Sequence, residues 1–289
     1  MQILKLSRAV NALFLTLSFT LCAVSHASAQ TLNSPESVRY DVANTRFLIS
    51  NRGAGEILAR SLAGTLTTFT TDPVSPAGIE IVGNLLYVAD GSRIRSYRLD
   101  TAERIADYAI PGSSFLNGIS GDGANRLWVS DFSGSAIYEL DLTIPTALSH
   151  RLFIGNLTFA PNGLRFDAAN QRLLIVTWST GRIFKVNLDG TGLSQLVAVG
   201  STNIDGIALD CDGAVYVSSW GAQAIKRFEP PLTTASVSTD LVTGLSNPAD
   251  IGYAPDLGQI ASPNAGASTV SLHDTRCLGV MFRDRLEDR

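Results

Sequence analysis

Four oxygen-bearing residues recur at one position of an internal repeat: Glu36, Asn117, Asn162 and Asp205. Each opens a short apolar segment, in Pro35-Glu36-Ser37-Val38, Leu116-Asn117-Gly118-Ile119, Pro161-Asn162-Gly163-Leu164 and Ile204-Asp205-Gly206-Ile207. The same position holds Ala77 in Pro76-Ala77-Gly78-Ile79 and Ala249 in Pro248-Ala249-Asp250-Ile251. Two carboxylates and two amide carbonyls, with room for water, form the hard-oxygen set that Ca²⁺ or another hard divalent cation takes. No thiolate or imidazole stands at the position, which counts against zinc and copper. Taken singly, Asn117-Gly118, Asn162-Gly163 and Asp205-Gly206 read as turn dipeptides, and Glu36 as a solvated loop residue. The shared register of the four is what carries the metal reading.

The repeat itself predicts the fold. Successive openings lie 41, 40, 45, 43 and 44 residues apart, a period suited to one four-stranded unit. Each opening leads through a turn, such as Asp122-Gly123-Ala124-Asn125 or Asp210-Cys211-Asp212-Gly213, into a second segment rich in β-branched and aromatic residues. These second segments align at 46–50, 85–89, 126–130, 172–176 and 214–218, and small-residue bends such as Thr180-Gly181 start a third. No stretch beyond residue 29 sustains a helical period. The pattern predicts an all-β chain, a single six-bladed β-propeller over residues 30–289. Its four-stranded antiparallel blades would surround a central channel and start near residues 36, 77, 117, 162, 205 and 249. A β-sandwich would not need six copies of one unit. The innermost strands of a propeller start at one end of the channel, so the four oxygen-bearing side chains would converge on its axis. The sixth unit is the weakest: 258–263 makes a poor second strand, and an outer strand is expected over 278–282.

Phe132, Trp178 and Trp220 follow the second segments of units three, four and five. They fit an apolar, substrate-binding wall at the channel mouth, or equally aromatics packed between blades. Trp128 lies mid-strand and is expected between blades. Arg52 and Arg93 fall near strand tops, where each is a candidate for a substrate contact but reads first as a solvated loop residue.

The first 29 residues read as an export signal: Lys5 and Arg8, an apolar run from Ala9 to Val24, then Ala27-Ser28-Ala29 before a new start at Gln30. The run is too short and mixed for a membrane span. Cleavage removes two positive charges and moves the net charge from −4 to −6. That balance, with no Lys/Arg cluster, argues against nucleic acid and against a membrane partner after cleavage. The remaining chain is expected in the periplasm or outside the cell, with a small-molecule substrate and no signature of an oligomeric state. An oxidising compartment permits a Cys211–Cys277 disulfide.

The phrases at 116–119, 161–164 and Ala249-Asp250-Ile251-Gly252-Tyr253, in their order and spacing, resemble six-bladed propellers of the gluconolactonase and regucalcin type. Diisopropyl fluorophosphatase and the paraoxonases are more distant relatives of that group. The resemblance covers nearly the whole chain beyond residue 29. It implies an axial calcium held by a Glu of the first blade, Asn residues of the middle blades and an Asp of the fifth. Glu36, Asn117, Asn162 and Asp205 match in type, blade and order. It further implies metal-assisted hydrolysis of a lactone or related ester, the ion polarising a carbonyl or phosphoryl oxygen. Asp205 would be the catalytic base, the nucleophile or a ligand, and Asn117 a ligand or a substrate contact. Two departures stand out: gluconolactonase members often open Glu-Gly-Pro before an aromatic, and no arginine matches the one that some members use to hold a sugar acid.

Other chemistry finds little support. His150 and His273 fall at outer-strand positions of different units, and no G-x-S-x-G elbow, P-loop or G-x-G-x-x-G fingerprint is present. The competing reading is a non-catalytic binding propeller with a structural axial metal or none, since propellers host both kinds of function.

Overall fold

The computed structural model describes residues 30–275 and 277; the expected export signal and the strand expected over 278–282 lie outside the described residues. The six-bladed propeller expected from the repeat is the architecture observed. Five four-stranded antiparallel sheets and one of three described strands each run in chain order from the hub outward. The innermost strands are Pro35–Asp41, Pro76–Val82, Leu116–Gly121, Pro161–Asp167, Ile204–Leu209 and, shortest, Gly252–Ala254.

Three consecutive positions at the opening of each innermost strand, in blade six just ahead of it, do three different things. The first turns to the axis: Glu36, Ala77, Asn117, Asn162, Asp205 and Ala249. The third, an aliphatic residue, enters the apolar cluster between two blades: Val38, Ile79, Ile119, Leu164, Ile207 and Ile251. Six such clusters occupy the six interfaces, so burial between flat sheets, not a single central core, holds the ring together. Trp128 is wholly buried in the cluster between blades three and four, against Leu164, Leu173 and Ile175, as expected.

The middle position explains why the glycines are there. Gly118 and Gly163 are not at positive φ and make no turn. A Cβ on Gly163 would stand 2.6 Å from the Asp205 carbonyl oxygen, and one on Gly118 would collide with the Asn162 carbonyl. The innermost strands pack backbone against backbone around the axis, and glycine is the residue that permits it. The turn-dipeptide reading of these pairs is therefore corrected. They are strand openings shaped by close approach.

Pairing with the second strand slips at this same place in five blades, between Pro35 and Ser37, Pro76 and Ile79, Leu116 and Ile119, Pro161 and Leu164, and Ile204 and Ile207. Each slip is a bulge, which lifts one residue out of the ladder and re-aims its side chain. In three blades a second-strand serine repairs the ladder. Ser50, Ser130 and Ser218 each accept from the amide of the middle position, at 2.8 Å. Ser130 and Ser218 also donate to the axial-residue carbonyl of the following blade, Asn162 and Ala249.

The seam between blades six and one departs from this pattern. Ser37 and Asp250 occupy the middle position there; their backbones form a parallel bridge, and Ser37 Oγ donates to Asp250 Oδ2 at 2.6 Å. Arg39 lies beside them. Its guanidinium meets Asp250 at 3.1 Å and Glu80 at 3.4 Å, and donates to the Val38 and Ile251 carbonyls. Opposite charges on both sides hold Arg39 firmly protonated despite burial.

Blade six corrects one expectation. Gln259–Asn264 is a full second strand paired on both sides. Pro263 falls where the innermost strand bulges away, between the Gly252–Ala261 pair and the Pro248–Asn264 bridge, so its missing N–H costs no regular ladder bond. A Cys211–Cys277 disulfide (Cα–Cα 5.9 Å) ties a turn of blade five to the chain beyond blade six. Its sequence separation of 66 residues makes the bond worth about 2–4 kcal/mol in chain entropy. Reducing it, or substituting Cys277→Ser, is expected to lower Tm by roughly 5–10 °C in calorimetry. An unchanged Tm would show that the blade interfaces alone close the ring.

Candidate functional site

Glu36, Asn117, Asn162 and Asp205 lie together at one end of the channel, on the floor of a cavity of about 140 Å³. Blades two and six bring only Ala77 and Ala249 to the axis, so the floor is one-sided. The bulges described above aim the four side chains inward, and all four are buried, Asp205 to 3 % exposure. Asn117 Nδ2 donates to Asn162 Oδ1 at 2.6 Å, and Asn162 Nδ2 to the Ile204 carbonyl at 3.3 Å. This relay orients both amides from blade three through to blade five.

The wall comes from the position just after each second strand. There stand Phe132, Trp178 and Trp220, and all three face the cavity. With Phe115 they form a continuous edge-to-face series: Phe115–Phe132 at 6.0 Å, Phe132–Trp178 at 6.1 Å and Trp178–Trp220 at 5.2 Å. The two placements that the sequence allowed these aromatics coincide: the rings line the cavity and also touch one another across the blade boundaries. Blades two and six carry Gly91 and Ala265 at this position, again leaving room.

Blade one carries Arg52 at the same position, and this is a further correction. Arg52 is no solvated loop residue: its guanidinium lies over the Phe115 ring at 4.7 Å, and Nη1 stands 3.7 Å from Glu36 Oε1. The signal was present in the repeat, since Arg52 follows Ser50-Asn51 as Trp220 follows Ser218-Ser219. Arg93, by contrast, pairs with Asp107 on the blade surface, as a solvated residue should.

The electrostatics of the floor are unbalanced. Burial pushes Glu36 up to about 7, against the opposing pull of Arg52 and with help from the negative charge of Asp250. Burial also raises Asp205 well above the usual carboxylate range, and Glu36 and Asp250 add to it. The buried Trp220 Nε1–H favours the Asp205 carboxylate but completes no hydrogen bond. Two carboxylates and two amides thus face one cavity with a single guanidinium at its rim. That donor set and that charge deficit fit a hard divalent cation, which would supply what burial removed. The histidines lie elsewhere, His150 against Tyr108 and His273 against Ser271 on outer strands. Among the described residues the one other grouping of metal-ligand types is Cys211, Asp212 and Cys277, whose sulfurs are bonded to each other.

A carboxylate whose proton affinity rises on folding takes up protons that the unfolded chain would not hold. Its stabilising contribution is complete below the unfolded pKa and is lost as pH climbs through the folded one. In chelator, Tm is therefore expected to fall by several degrees between about pH 4.5 and 7, the window set by Glu36. His273, whose burial favours its neutral form, works weakly the other way. A thermal-unfolding series should show a flatter slope in Glu36→Gln, and an identical slope in both proteins would refute the assignment.

A family model for the SMP-30/gluconolactonase/LRE-like region matches residues 34–243. That family is generally metal-dependent. No curated protein matches the chain by sequence. Solved structures with the same architecture include a luciferin-regenerating enzyme, 12 % identical with a TM-score of 0.67, covering 86 % of this chain and 95 % of its own. A protein of unknown function from Bacteroides thetaiotaomicron is 14 % identical with a TM-score of 0.68, covering 84 % of this chain and 70 % of its own. A catalytically inactive histidine-to-alanine variant of virginiamycin B lyase from Staphylococcus aureus, with quinupristin, is 14 % identical with a TM-score of 0.60, covering 86 % of this chain and 88 % of its own. With the family match spanning five of the six blades, the chain belongs to the SMP-30/gluconolactonase/LRE-like family.

Proposed function

We propose that the chain is an exported, calcium-dependent hydrolase that opens a small lactone or cleaves a related ester. One observation carries the reading: two buried carboxylates and two relayed amides converge under an aromatic-walled cavity. Glu36, Asn117, Asn162 and Asp205 would hold the ion, and an ion bound there polarises the substrate carbonyl. Asp205 acts as general base. It takes a proton from water as the water oxygen bonds the acyl carbon, and returns it to the departing oxygen as the C–O bond breaks. Its place on the floor beside Glu36 and the two amides would put this base next to the ion-polarised carbonyl. Glu36 holds charge at the floor beside Arg52, and the Asn117–Asn162 relay keeps the amides from rotating away. The aromatic wall, which begins at Phe115 under Arg52, would shield the reacting groups from bulk water along blades three to five.

A lyase reading after the virginiamycin B enzyme is less well supported. That protein is inactivated by loss of a histidine, and neither described histidine lies at this cavity. A non-catalytic binding propeller is the remaining alternative, and metal binding without turnover would favour it.

Calcium added to metal-free protein is expected to raise Tm, by an amount equivalent to about 2.7 kcal/mol at a concentration 100-fold above Kd. Glu36→Gln should lose most of that shift. A wild-type protein that gains nothing from calcium would remove the metal from the proposal. Asp205→Asn should lower kcat by at least about 10²-fold on any lactone that the wild type opens. Its Tm in chelator should match or exceed that of wild type, since an uncompensated buried charge is gone. Undiminished turnover in this variant would disprove the role of Asp205.

A further inference from the structure

The cavity also speaks to which lactones would fit. Above the floor, its polar groups are the Arg52 guanidinium and the indole N–H groups of Trp178 and Trp220. Every other lining side chain there is an aromatic ring, and the rings form one unbroken series from blade three to blade five. Arg52 is itself engaged, over the Phe115 ring and near Glu36. The volume, about 140 Å³, is close to the roughly 150 Å³ in which an apolar protein cavity holds one benzene.

A polyhydroxylated ring placed here would bring several hydroxyls to a wall whose side chains offer donors from one guanidinium and two indoles but no acceptor. Each buried hydroxyl left unpaired costs on the order of tenfold in affinity or more. An apolar ring meets no such loss and gains edge and face contacts with Phe132, Trp178 and Trp220. Gly91 and Ala265, at the wall position of blades two and six, leave space beside Arg52 for the carbonyl-bearing part to reach the floor. We propose that the substrate class is a small lactone or ester whose non-reacting part is an aryl or alkyl group, and not a sugar lactone. This rests on the hydrolase reading above but is carried by the wall, not by the floor.

The test uses the calcium-loaded protein with γ-phenyl-γ-butyrolactone and D-glucono-δ-lactone as paired substrates. Water adds to the acyl carbon of either, the ring C–O bond breaks, and the ring oxygen leaves as a hydroxyl. The aryl lactone is expected to show a kcat/KM at least tenfold higher. Trp178→Ala and the milder Phe132→Leu should lower that value about tenfold, chiefly through KM, while keeping the wild-type calcium-induced rise in Tm as proof of an intact floor. Binding is read separately, by tryptophan fluorescence on titration with the products 4-hydroxy-4-phenylbutyrate and gluconate. Tighter binding of the aryl product, weakened in Trp178→Ala, supports the proposal even if neither lactone is turned over, an outcome that would overturn the hydrolase reading alone. Preferred turnover or binding of the sugar partner would overturn the substrate class and leave the hydrolase standing. An aryl kcat/KM unmoved by both wall variants would also overturn it, and absence of both binding and turnover would overturn both readings.

Discussion

The structure depends on how closely six backbones approach one axis. At the middle position of the innermost strand, Gly78, Gly118, Gly163 and Gly206 each abut backbone of the next blade at a distance that no Cβ could occupy. That approach sets the radius of the hub. A hub this narrow places residues from blades one, three, four and five on a common floor, where wider spacing would leave them lining separate walls. The bulges follow from the same crowding, because a strand pressed against its neighbour cannot keep its ladder and also aim its first residue at the axis. Serines on the second strands then satisfy the amides that the bulges release, and so bind fold and site together.

The seam relaxes this rule and takes on charge in return. Where Ser37 and Asp250 replace glycine, the space holds a hydrogen-bonded pair and the Arg39 guanidinium with Glu80 behind it. Buried ions of this kind need every partner, since removing one leaves another uncompensated at a cost of about 3–5 kcal/mol. Asp250 is therefore not idle beneath the site. Its amide donates to the Glu36 carbonyl at 2.8 Å, and its charge pushes both Glu36 and Asp205 toward protonation. Closure of the ring and the electrostatics of the floor are coupled through this one carboxylate.

The repeat made the architecture, the four floor residues and the aromatic wall legible, because each is a matter of register. What the sequence hid was the reason for individual residues. Asn117-Gly118 looks the same whether its glycine serves a turn or a close approach, since the distinction lies in a neighbouring blade, at Asn162. Gln259–Asn264 looked poor because propensity disfavours its proline and serine, yet burial and a bulge override propensity there. Arg52 was misjudged for a related reason: judged singly, an arginine near a strand top is usually solvated, whereas compared across blades it stands in the row of Phe132, Trp178 and Trp220.

That row and the floor below it share one asymmetry. Blades two and six place Ala77 and Ala249 at the floor, and Gly91 and Ala265 at the wall, so the two blades flanking blade one offer no side-chain obstacle at either level. Glu36 and Arg52 consequently form one end of the cavity lining, Arg52 meeting the first ring of the series at Phe115, with the amides, Asp205 and the other three rings supplied by blades three to five. A lining of such uneven chemistry would favour one orientation of a ligand, its polar end toward Arg52 and the floor and its apolar end toward the rings. A ring of six equal blades would offer a ligand six equal poses. Small residues in two blades are enough to break that symmetry without altering the hub that all six must share.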